Sequence, residues 1–214
     1  MSKLILESLD SKRLSVYKKL KAFKNYGILG GGTALSLQIG HRISFDFDVF
    51  VEKKIEDDLW KKAKKVFGDD SSKLIETGEE LHLTTPENIA VSFFHDDYKS
   101  LFSPMKTDTI NLMNIKDIAT NKAFTLGRRP KWRDYVDLYF LLKGKYISLE
   151  ILIQLSRKKF ASDFSQRLFL EQLVYWNDIV DYEIEFLNKK AQPKTIKSYL
   201  EKEVEKYKKS QFQK

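Results

Sequence analysis

Two aspartates separated by a single residue, Asp46 and Asp48, are the side chains in this sequence best suited to chemistry. They lie in ISFDFDV, where apolar and polar residues alternate as in a strand with one buried face. Such alternation brings both carboxylates to the same side of the strand, with their Cα atoms roughly 7 Å apart. Two like charges held this close repel each other unless a cation lies between them. Mg²⁺ suits the pair, with Mn²⁺ as an alternative, because Mg²⁺ is bound in proteins by one or two carboxylates together with substrate phosphates.

A glycine-rich turn precedes the aspartates by one short helix. The run Tyr26–Leu29 predicts a buried strand, Thr33–Ile39 predicts the helix, and Gly40 can end that helix in the left-handed conformation. Between them, Gly30–Gly32 leave backbone N–H groups accessible at a helix N-terminus, which attracts phosphate oxygens. Taken alone, the glycines are better explained by a tight connection without a ligand, and a solvated strand face would explain the aspartates. Because Asp is depleted in strands, the two features in this order favour a site for a phosphate and a metal ion.

The elements around this segment divide into a mixed α/β first half and a helical second half. Alternation over Ile43–Val51 predicts a strand whose apolar face consists of Ile43, Phe45, Phe47 and Val49. Further strands are predicted at 73–77, 80–84 and 88–94. Helices are predicted at 4–24 (one or two), 57–67, 115–126, 132–143, 149–155, 165–176 and 195–209. The predicted fold class is therefore α+β, a small mixed sheet with flanking helices followed by a helical C-terminal half.

The composition bounds the function without identifying it. The 214 residues are 42% hydrophobic and 32% charged, which is ordinary for a folded protein in water. No apolar run approaches the roughly 20 residues that span a bilayer, so no membrane association is expected. The absence of cysteine excludes disulfides, thiolate nucleophiles and zinc–sulfur sites, and a cytoplasmic protein is the simplest expectation. A formal charge of +8 favours polyanionic partners, although only weakly.

The stretch GGTALSLQIGHRISFDFDVF resembles nucleotidyltransferase toxins of the AbiEii/AbiGii type, within the polymerase-β-like nucleotidyltransferase superfamily. Members commonly show Gly-Gly-Thr-Ala-Leu followed by Gly-His-Arg-x-Ser-x-Asp-x-Asp-x-Phe. The resemblance implies a nucleotidyltransferase core with an N-terminal helix in residues 1–110, and a helical region in 111–214 that completes the active-site cleft. It implies that Gly31, Gly32 and Thr33 hold the nucleotide phosphates and that Asp46 and Asp48 hold the metal ion. Arg42 and Ser44 are further nucleotide-binding candidates, and Arg42 could equally satisfy carboxylates or helix-end carbonyls.

The family also carries a lysine on a later helix and an aspartate on the next one. Lys122 and Asp137 are in the matching places, with Asp134 close by, and the resemblance makes Lys122 and Asp137 catalytic candidates. Lys122 falls on the apolar stripe of its helix, where a lysine must be paired or face a cleft because its burial alone is too costly. An ion pair joining the two helices and a contact of Lys122 with nucleotide phosphates are both open, and they are compatible.

The resemblance breaks down at the third carboxylate that polymerase-β-like catalysts usually supply from a neighbouring strand. Ser92 stands where that residue is expected, and acidic residues occur only at the ends of the strand, as Glu87, Asp96 and Asp97. Either a carboxylate at a strand end serves instead, or a second metal ion is weakly held, and the general base is consequently unassigned. His82 and His95 have no ligand partners at metal-site spacing and are expected to be structural or surface residues.

Between the helices that carry Lys122 and Asp137, the segment RRPKWR has four cations around one tryptophan. It could contact phosphates or stack a base, and a solvated loop is an equally good interpretation.

The resemblance implies transfer of a nucleoside monophosphate from an NTP to an acceptor hydroxyl. The acceptor it favours is RNA, in particular a tRNA 3′ end, and the biological role is that of a toxin restrained by a cognate antitoxin protein. Two alternatives stay open: a nucleotidyltransferase acting on a small molecule or a protein, and a catalytically silent module that binds a nucleotide or a partner. The missing third carboxylate favours the silent module, whereas the two intact aspartates argue against it.

Overall fold

The structure, a computed structural model, describes residues 4–188 and 190–212, and for Phe212 the backbone alone. Two compact units follow one another along the chain, divided between Asn114 and Ile115. The first unit contains every strand of the described chain, and the helices of the second unit follow one another without strands between them. This arrangement confirms the predicted α+β fold class.

The first unit is built on a five-stranded mixed sheet in the order β1-β2-β5-β4-β3. Strand β2 pairs in parallel with β5, and the remaining neighbours are antiparallel. The strands are β1 Ile28–Leu29, β2 Phe47–Val51, β3 Ser72–Glu76, β4 Glu80–Thr84 and β5 Ala90–His95. The helices of this unit are α1 Ser11–Lys19, α2 Gly31–Ile39 and α3 Leu59–Phe67. The predicted meander of β3, β4 and β5 is confirmed.

One face of the sheet is apolar and forms the core of the first unit. Phe47 and Val49 of β2 are fully buried beside Val91 and Phe93 of β5. The ring of Tyr17 in α1 stacks on Phe47, and that of Phe23, just after α1, packs against Phe93. Because side chains alternate along a strand, the intervening residues of β2 and β5 lie on the opposite face, where Asp48 is beside Ser92 and the ring of Phe50 packs against Phe94.

The strand that carries the aspartates begins later than predicted. β2 starts at Phe47 rather than at Ile43, and Phe45, expected in the apolar face, is 51% exposed beneath the guanidinium of Arg13. The physical reason is that neither neighbouring strand extends alongside residues 43–46: β1 pairs only with Val49 and Phe50, and pairing with β5 starts at Phe47. The segment instead bonds to helix α2, since the hydroxyl of Thr33 donates to the carbonyl of Asp46.

The second unit is helical, as predicted. Its helices are α4 Ile115–Leu126, α5 Trp132–Lys143, α6 Leu149–Phe160, α7 Gln166–Gln172 and α8 Pro193–Phe212. Helix α4 packs against α5, α6 and α7, and α8 packs against α5 and α6. Helix α6 is longer than predicted, and α7 is shorter. Over residues 4–188 and 190–212 no helix has both the length and the apolar character to cross a membrane.

An ion pair fixes the turn before β5 and involves Glu87, one of the acidic residues at the ends of that strand. Lys19 Nζ at the end of α1 donates to Glu87 Oε1 at 2.8 Å and to the Phe67 carbonyl at 3.1 Å. The hydrogen bond from Lys19 holds the pKa of the Glu87 carboxyl below its ordinary value, against the opposing effect of its burial. Glu87 therefore ties α1 and α3 to the sheet, a structural task.

We expect Glu87→Gln to lower the free energy of unfolding by roughly 1 kcal/mol at pH 7, the size of a partly exposed ion pair. A lowered carboxyl pKa in the folded state stabilises above the ordinary glutamate pKa, and this contribution is lost as the pH falls through the lowered value. The difference between the variant and the wild type should therefore vanish in acid. Urea denaturation from pH 7 to pH 3 measures it, with exposed Glu7→Gln as control. A difference that persists unchanged at pH 3 would contradict the assignment.

Candidate functional site

The two aspartates lie at the start of the central strand β2. Asp48 is the second residue of β2, and Asp46 immediately precedes the strand. Both side chains are half-buried, unlike the fully buried Phe47 between them. The polar face of the sheet therefore presents the Asp48 carboxylate at the edge of the core rather than in open solvent.

The glycine turn is packed directly against Asp48. The amide of Gly30 donates to the Asp48 carbonyl at 2.8 Å, and helix α2 begins at Gly31, whose φ is +64°. A Cβ atom on Gly31 would collide with Asp48 Oδ2. Glycine is required here on two grounds, because the backbone is left-handed and because the carboxylate occupies the space of a side chain. The N-terminus of α2 and the Asp48 carboxylate thus form a single site.

Arg42 and Ser44 join the same turn from the other side. A Cβ atom on Gly32 would lie 2.6 Å from Arg42 Nη2 and 2.8 Å from Ser44 Oγ. Arg42 is buried, and its Nη1 donates to the Ile43 carbonyl at 2.9 Å. Ser44 Oγ lies 3.5 Å from Asp46 Oδ1. A guanidinium, a hydroxyl and a carboxylate therefore surround the first turn of α2.

Thr33 holds the site together through its side chain. It is buried in the first turn of α2, and its hydroxyl donates to the carbonyl of Asp46. The N-cap residue of the helix is Gly30. The first N–H groups of an α-helix have no intrahelical acceptor, so the turn offers backbone donors to an anion while the Thr33 hydroxyl fixes the aspartate segment.

The chemistry of these donors fits a divalent cation of the Mg²⁺ type. Carboxylate oxygens are its preferred protein ligands, and one or two of them commonly suffice when substrate phosphates complete the shell. Within the described residues no group of three or more His, Cys, Asp and Glu side chains is arranged to hold a metal ion. A cation at this site would accordingly depend on the two aspartates and on phosphate oxygens.

The position expected for a third carboxylate is occupied by Ser92. In the parallel pairing of β2 and β5, Ser92 is the direct partner of Asp48. The acidic residues at the ends of β5 contact other groups: Glu87 pairs with Lys19, Asp96 Oδ1 accepts from the Tyr98 amide at 3.0 Å, and Asp97 lies 3.6 Å from His95. His95 also contacts Glu79 at 2.8 Å, which agrees with the structural or surface role expected of it.

A second cluster of charges lies in the helical unit. Lys122 Nζ on α4 is 2.6 Å from Asp134 Oδ1 and 2.7 Å from Asp137 Oδ2, both on α5. The two carboxylates are fully buried, and the lysine side chain is 12% exposed. The ion pair between Lys122 and Asp137, one of the two interpretations left open by the sequence, is present, and Asp134 shares it. One ammonium between two buried carboxylates is strongly held, because removal of the lysine or of an aspartate would leave the remaining buried charge less well compensated.

Sequence reasoning did not identify a further buried cation on α6. Lys159 Nζ lies 2.8 Å from Asn121 Oδ1 and 3.4 Å from Asp117 Oδ1, and the Lys159 and Asp117 side chains are both inaccessible to solvent. The spacing of Lys159 after Leu152 and Ser156 on one helical face could have predicted its burial. The pair joins α4 to α6 beside the Lys122 cluster.

The tryptophan of the basic segment RRPKWR does not face solvent. Trp132 is 4% exposed and packs against the rings of Tyr135, Trp176 and Tyr182. The interpretation of Trp132 as a base-stacking residue is therefore wrong, because the tryptophan opens α5 inside an aromatic cluster. Arg128 places its guanidinium 3.6 Å from the centre of the Phe124 ring.

Comparison with known proteins agrees with this architecture. A family model described as "Nucleotidyl transferase AbiEii toxin, Type IV TA system" matches residues 17–212. The uncharacterized protein aq_aa25 of Aquifex aeolicus (strain VF5) is 31% identical over 153 residues, which cover 70% of this chain and 73% of the relative.

Two solved structures are similar in fold. MenT4, a nucleotidyltransferase toxin from Mycobacterium tuberculosis H37Rv, superposes with a TM-score of 0.56 at 13% identity, over 91% of this chain and 84% of its own. JHP933 from Helicobacter pylori superposes with a TM-score of 0.52 at 18% identity, over 92% of this chain and 93% of its own. At these identities the superpositions establish a shared fold.

We expect Gly31→Ala to damage the site more than the fold. The left-handed backbone costs an alanine about 1–2 kcal/mol, and the new methyl group must displace the Asp48 carboxylate. Displacement of a reacting group by about 1 Å commonly costs about 100-fold in rate, so nucleotide transfer should fall by that order. Gly78→Ala is the matched control, since a Cβ atom there meets no atom within 4 Å. A nucleotide-transfer rate of Gly31→Ala within a few-fold of that of Gly78→Ala would show that the contact between Gly31 and Asp48 is not important for the reaction.

Proposed function

The chain belongs to the AbiEii nucleotidyl transferase toxin family, and on that premise we propose that it moves a nucleoside monophosphate from an NTP to an acceptor hydroxyl at the site formed by the glycine turn and the two aspartates. Enzymatic nucleotidyl transfer is the activity of the family. The observation that carries the assignment is the direct packing of the Gly31 backbone against the Asp48 carboxylate. This contact supports the proposal, because a turn of the kind that binds phosphate lies directly against a carboxylate of the kind that binds a cation, as a triphosphate and its metal ion require.

Each residue of the site has a proposed task. Asp46 and Asp48 hold a divalent cation, which when bound neutralises charge on the triphosphate. The amides of Gly31–Thr33 at the start of α2 bind phosphate oxygens, because a helix N-terminus carries roughly half a positive charge. Arg42 and Ser44, which face Gly32, add a guanidinium and a hydroxyl to the same anion.

Lys122 and Asp137 are proposed as catalytic residues on the strength of their places in the family pattern. The ammonium of Lys122 would stabilise nucleotide phosphates, and Asp137 would orient it. Their ion pair supports this proposal to the extent that it fixes the ammonium geometry, with Asp134 as a second anchor. A purely structural role for the same three residues is the alternative that kinetics must exclude.

The acceptor we propose is RNA, with a tRNA 3′ end as the favoured site of addition. The family resemblance and the formal charge of +8 support this choice, since a basic protein attracts a polyanion. The type IV toxin–antitoxin description of the family supports a cognate antitoxin protein as partner. Transfer to a small molecule or to a protein hydroxyl is the competing activity, and a silent nucleotide-binding module of the same fold is the competing non-enzymatic function.

We expect Asp48→Asn to reduce nucleotide transfer by about 100-fold or more, because charge stabilisation by a bound metal ion is worth several kcal/mol. The purified protein is incubated with total RNA, Mg²⁺ and each α-labelled NTP in turn, and label is followed in RNA, protein and small-molecule fractions. Exposed Asp57→Asn serves as the matched control and should behave as the wild type. Label in RNA supports the favoured acceptor, and label in another fraction supports the competing transferase. Equal labelling by Asp48→Asn and wild type, or none with any NTP, would contradict the proposal.

Two buried lysines allow the role of Lys122 to be separated from its structural contribution. Lys122→Met removes the ammonium that contacts the buried carboxylates of Asp134 and Asp137, and Lys159→Met removes the one that contacts Asp117. Each should lower stability by about 3–5 kcal/mol. Only Lys122→Met should also raise the KM for the NTP or lower kcat. Both variants are assayed at a temperature where circular dichroism shows them folded. Matching kinetics in the two variants would assign Lys122 to the fold alone.

A further inference from the structure

A row of polar side chains crosses three strands on the face of the sheet that carries Asp48. Asp48 of β2 is the direct partner of Ser92 in β5, and Ser92 is the direct partner of His82 in β4. Directly paired residues point to the same face of a sheet. Their chain neighbours Val49, Phe93 and Leu81 are fully buried on the opposite face. The row therefore extends from the proposed cation site outward across the sheet.

Side-chain hydrogen bonds connect the outer members of this row. Ser92 Oγ lies 3.2 Å from His82 Nδ1, and His82 Nε2 lies 2.8 Å from Glu80 Oε2. A carboxylate only accepts hydrogen bonds, so Glu80 selects the form of His82 that carries a proton on Nε2. In this tautomer Nδ1 is an acceptor, to which the Ser92 hydroxyl donates. Packing supports the same ring orientation, since His82 stands edge-on to Phe94 with the ring centres 5.0 Å apart.

This chain of bonds determines which way the serine oxygen faces. With its proton committed to His82, Ser92 Oγ keeps its lone pairs directed away from the imidazole. Ser92 is 9% exposed, so few rotamers are open to it, and its position beside Asp48 is the one where a third carboxylate would stand. A neutral oxygen acceptor in that place can bind a cation or a cation-bound water, as outer-shell oxygens commonly do.

We propose that Ser92, the direct strand partner of Asp48, supplies the third oxygen of the aspartate site, and that Glu80 and His82 are positioning residues which fix the direction of its hydroxyl proton. The proposal rests on the function assigned to Asp46 and Asp48 above. β5 has no carboxylate beside Asp48. The neighbouring strand β4 carries one, Glu80, which acts on the Ser92 hydroxyl through His82 rather than by contact with the cation.

Pairing of β4 with β5 does not explain the polar row. The two strands are joined by a continuous antiparallel ladder from Glu80 to Thr84, opposite Phe94 to Ala90, so side-chain bonds are not needed to align them. Glu80 and His82 also keep part of their surface in water, with side chains 37% and 25% exposed. Partly exposed ion pairs contribute little to stability. The main effect of this one is therefore on the orientation of the buried Ser92 hydroxyl.

Binding of Mn²⁺ alone, followed by electron paramagnetic resonance of the free ion, tests the proposal without dependence on catalysis. Ser92→Ala should weaken Mn²⁺ binding about tenfold, the lower range for loss of an outer-shell partner. His82→Gln should do the same, because its amide reaches the position of Nε2 and leaves Ser92 without its acceptor. His82→Asn should bind nearly as the wild type, since Asn Oδ1 stands in for Nδ1. Thermal melts confirm that the variants are folded.

Unchanged Mn²⁺ binding in Ser92→Ala, or equal loss in folded His82→Asn and His82→Gln, would overturn the proposal. Asp48→Asn distinguishes this failure from failure of the proposed function. If Asp48→Asn abolishes Mn²⁺ binding while Ser92→Ala does not change it, the third oxygen alone is refuted. If Asp48→Asn also leaves binding unchanged, the aspartate site itself is refuted.

A variant that is expected to gain Mn²⁺ affinity is also informative, because misfolding could explain a loss of binding but not a gain. Ser92→Asp places a third carboxylate beside Asp48, so without a cation the like charges should lower the melting temperature. Added Mn²⁺ should then bind at least about tenfold more tightly than to the wild type and raise the melting temperature further, because affinity rises with the number of carboxylate ligands. No gain in Mn²⁺ affinity by folded Ser92→Asp would place Ser92 outside the site and overturn the proposal.

Discussion

The close approach of the Gly31 backbone to the Asp48 carboxylate is the constraint on which the site depends. A residue with a Cβ atom cannot occupy the left-handed first position of α2 without displacing that carboxylate. The contact brings the positive end of a helix next to a negative side chain, which is favourable in itself. The hydroxyl of Thr33 in α2 donates to the Asp46 carbonyl and so holds the aspartate segment against the same turn.

Much of the fold follows from periodicity. Helical spacing predicted α4 and α5 with their observed bounds, and the strand predicted at 80–84 has the observed bounds of β4. The order of glycines, short helix and paired aspartates was sufficient to predict a phosphate and cation site, because each of these features has a local physical reason. Lys122 was predicted to be paired or to face a cleft from its place on an apolar stripe, and its two aspartate partners agree with the first of these alternatives.

Other features depend on which strands become neighbours, which local patterns do not contain. The insertion of β5 between β2 and β4 places Ser92 beside Asp48 and within reach of His82, although these residues are far apart in sequence. The late start of β2 has the same origin, since an alternating sequence forms a strand only where a partner strand reaches it. Trp132 was misinterpreted because a basic segment suggests exposure, whereas its aromatic partners come from later elements.

We propose that the glycine turn and the two aspartates form one site for a triphosphate and its metal ion. A crystal structure of the protein with Mn²⁺ and an NTP analogue whose α–β bridge cannot be cleaved is the decisive test, through the anomalous signal of manganese. We expect a manganese peak between the carboxylates of Asp46 and Asp48, with phosphate oxygens on the amides of Gly31–Thr33. Manganese and phosphates bound elsewhere, with these carboxylates and amides facing solvent, would contradict it.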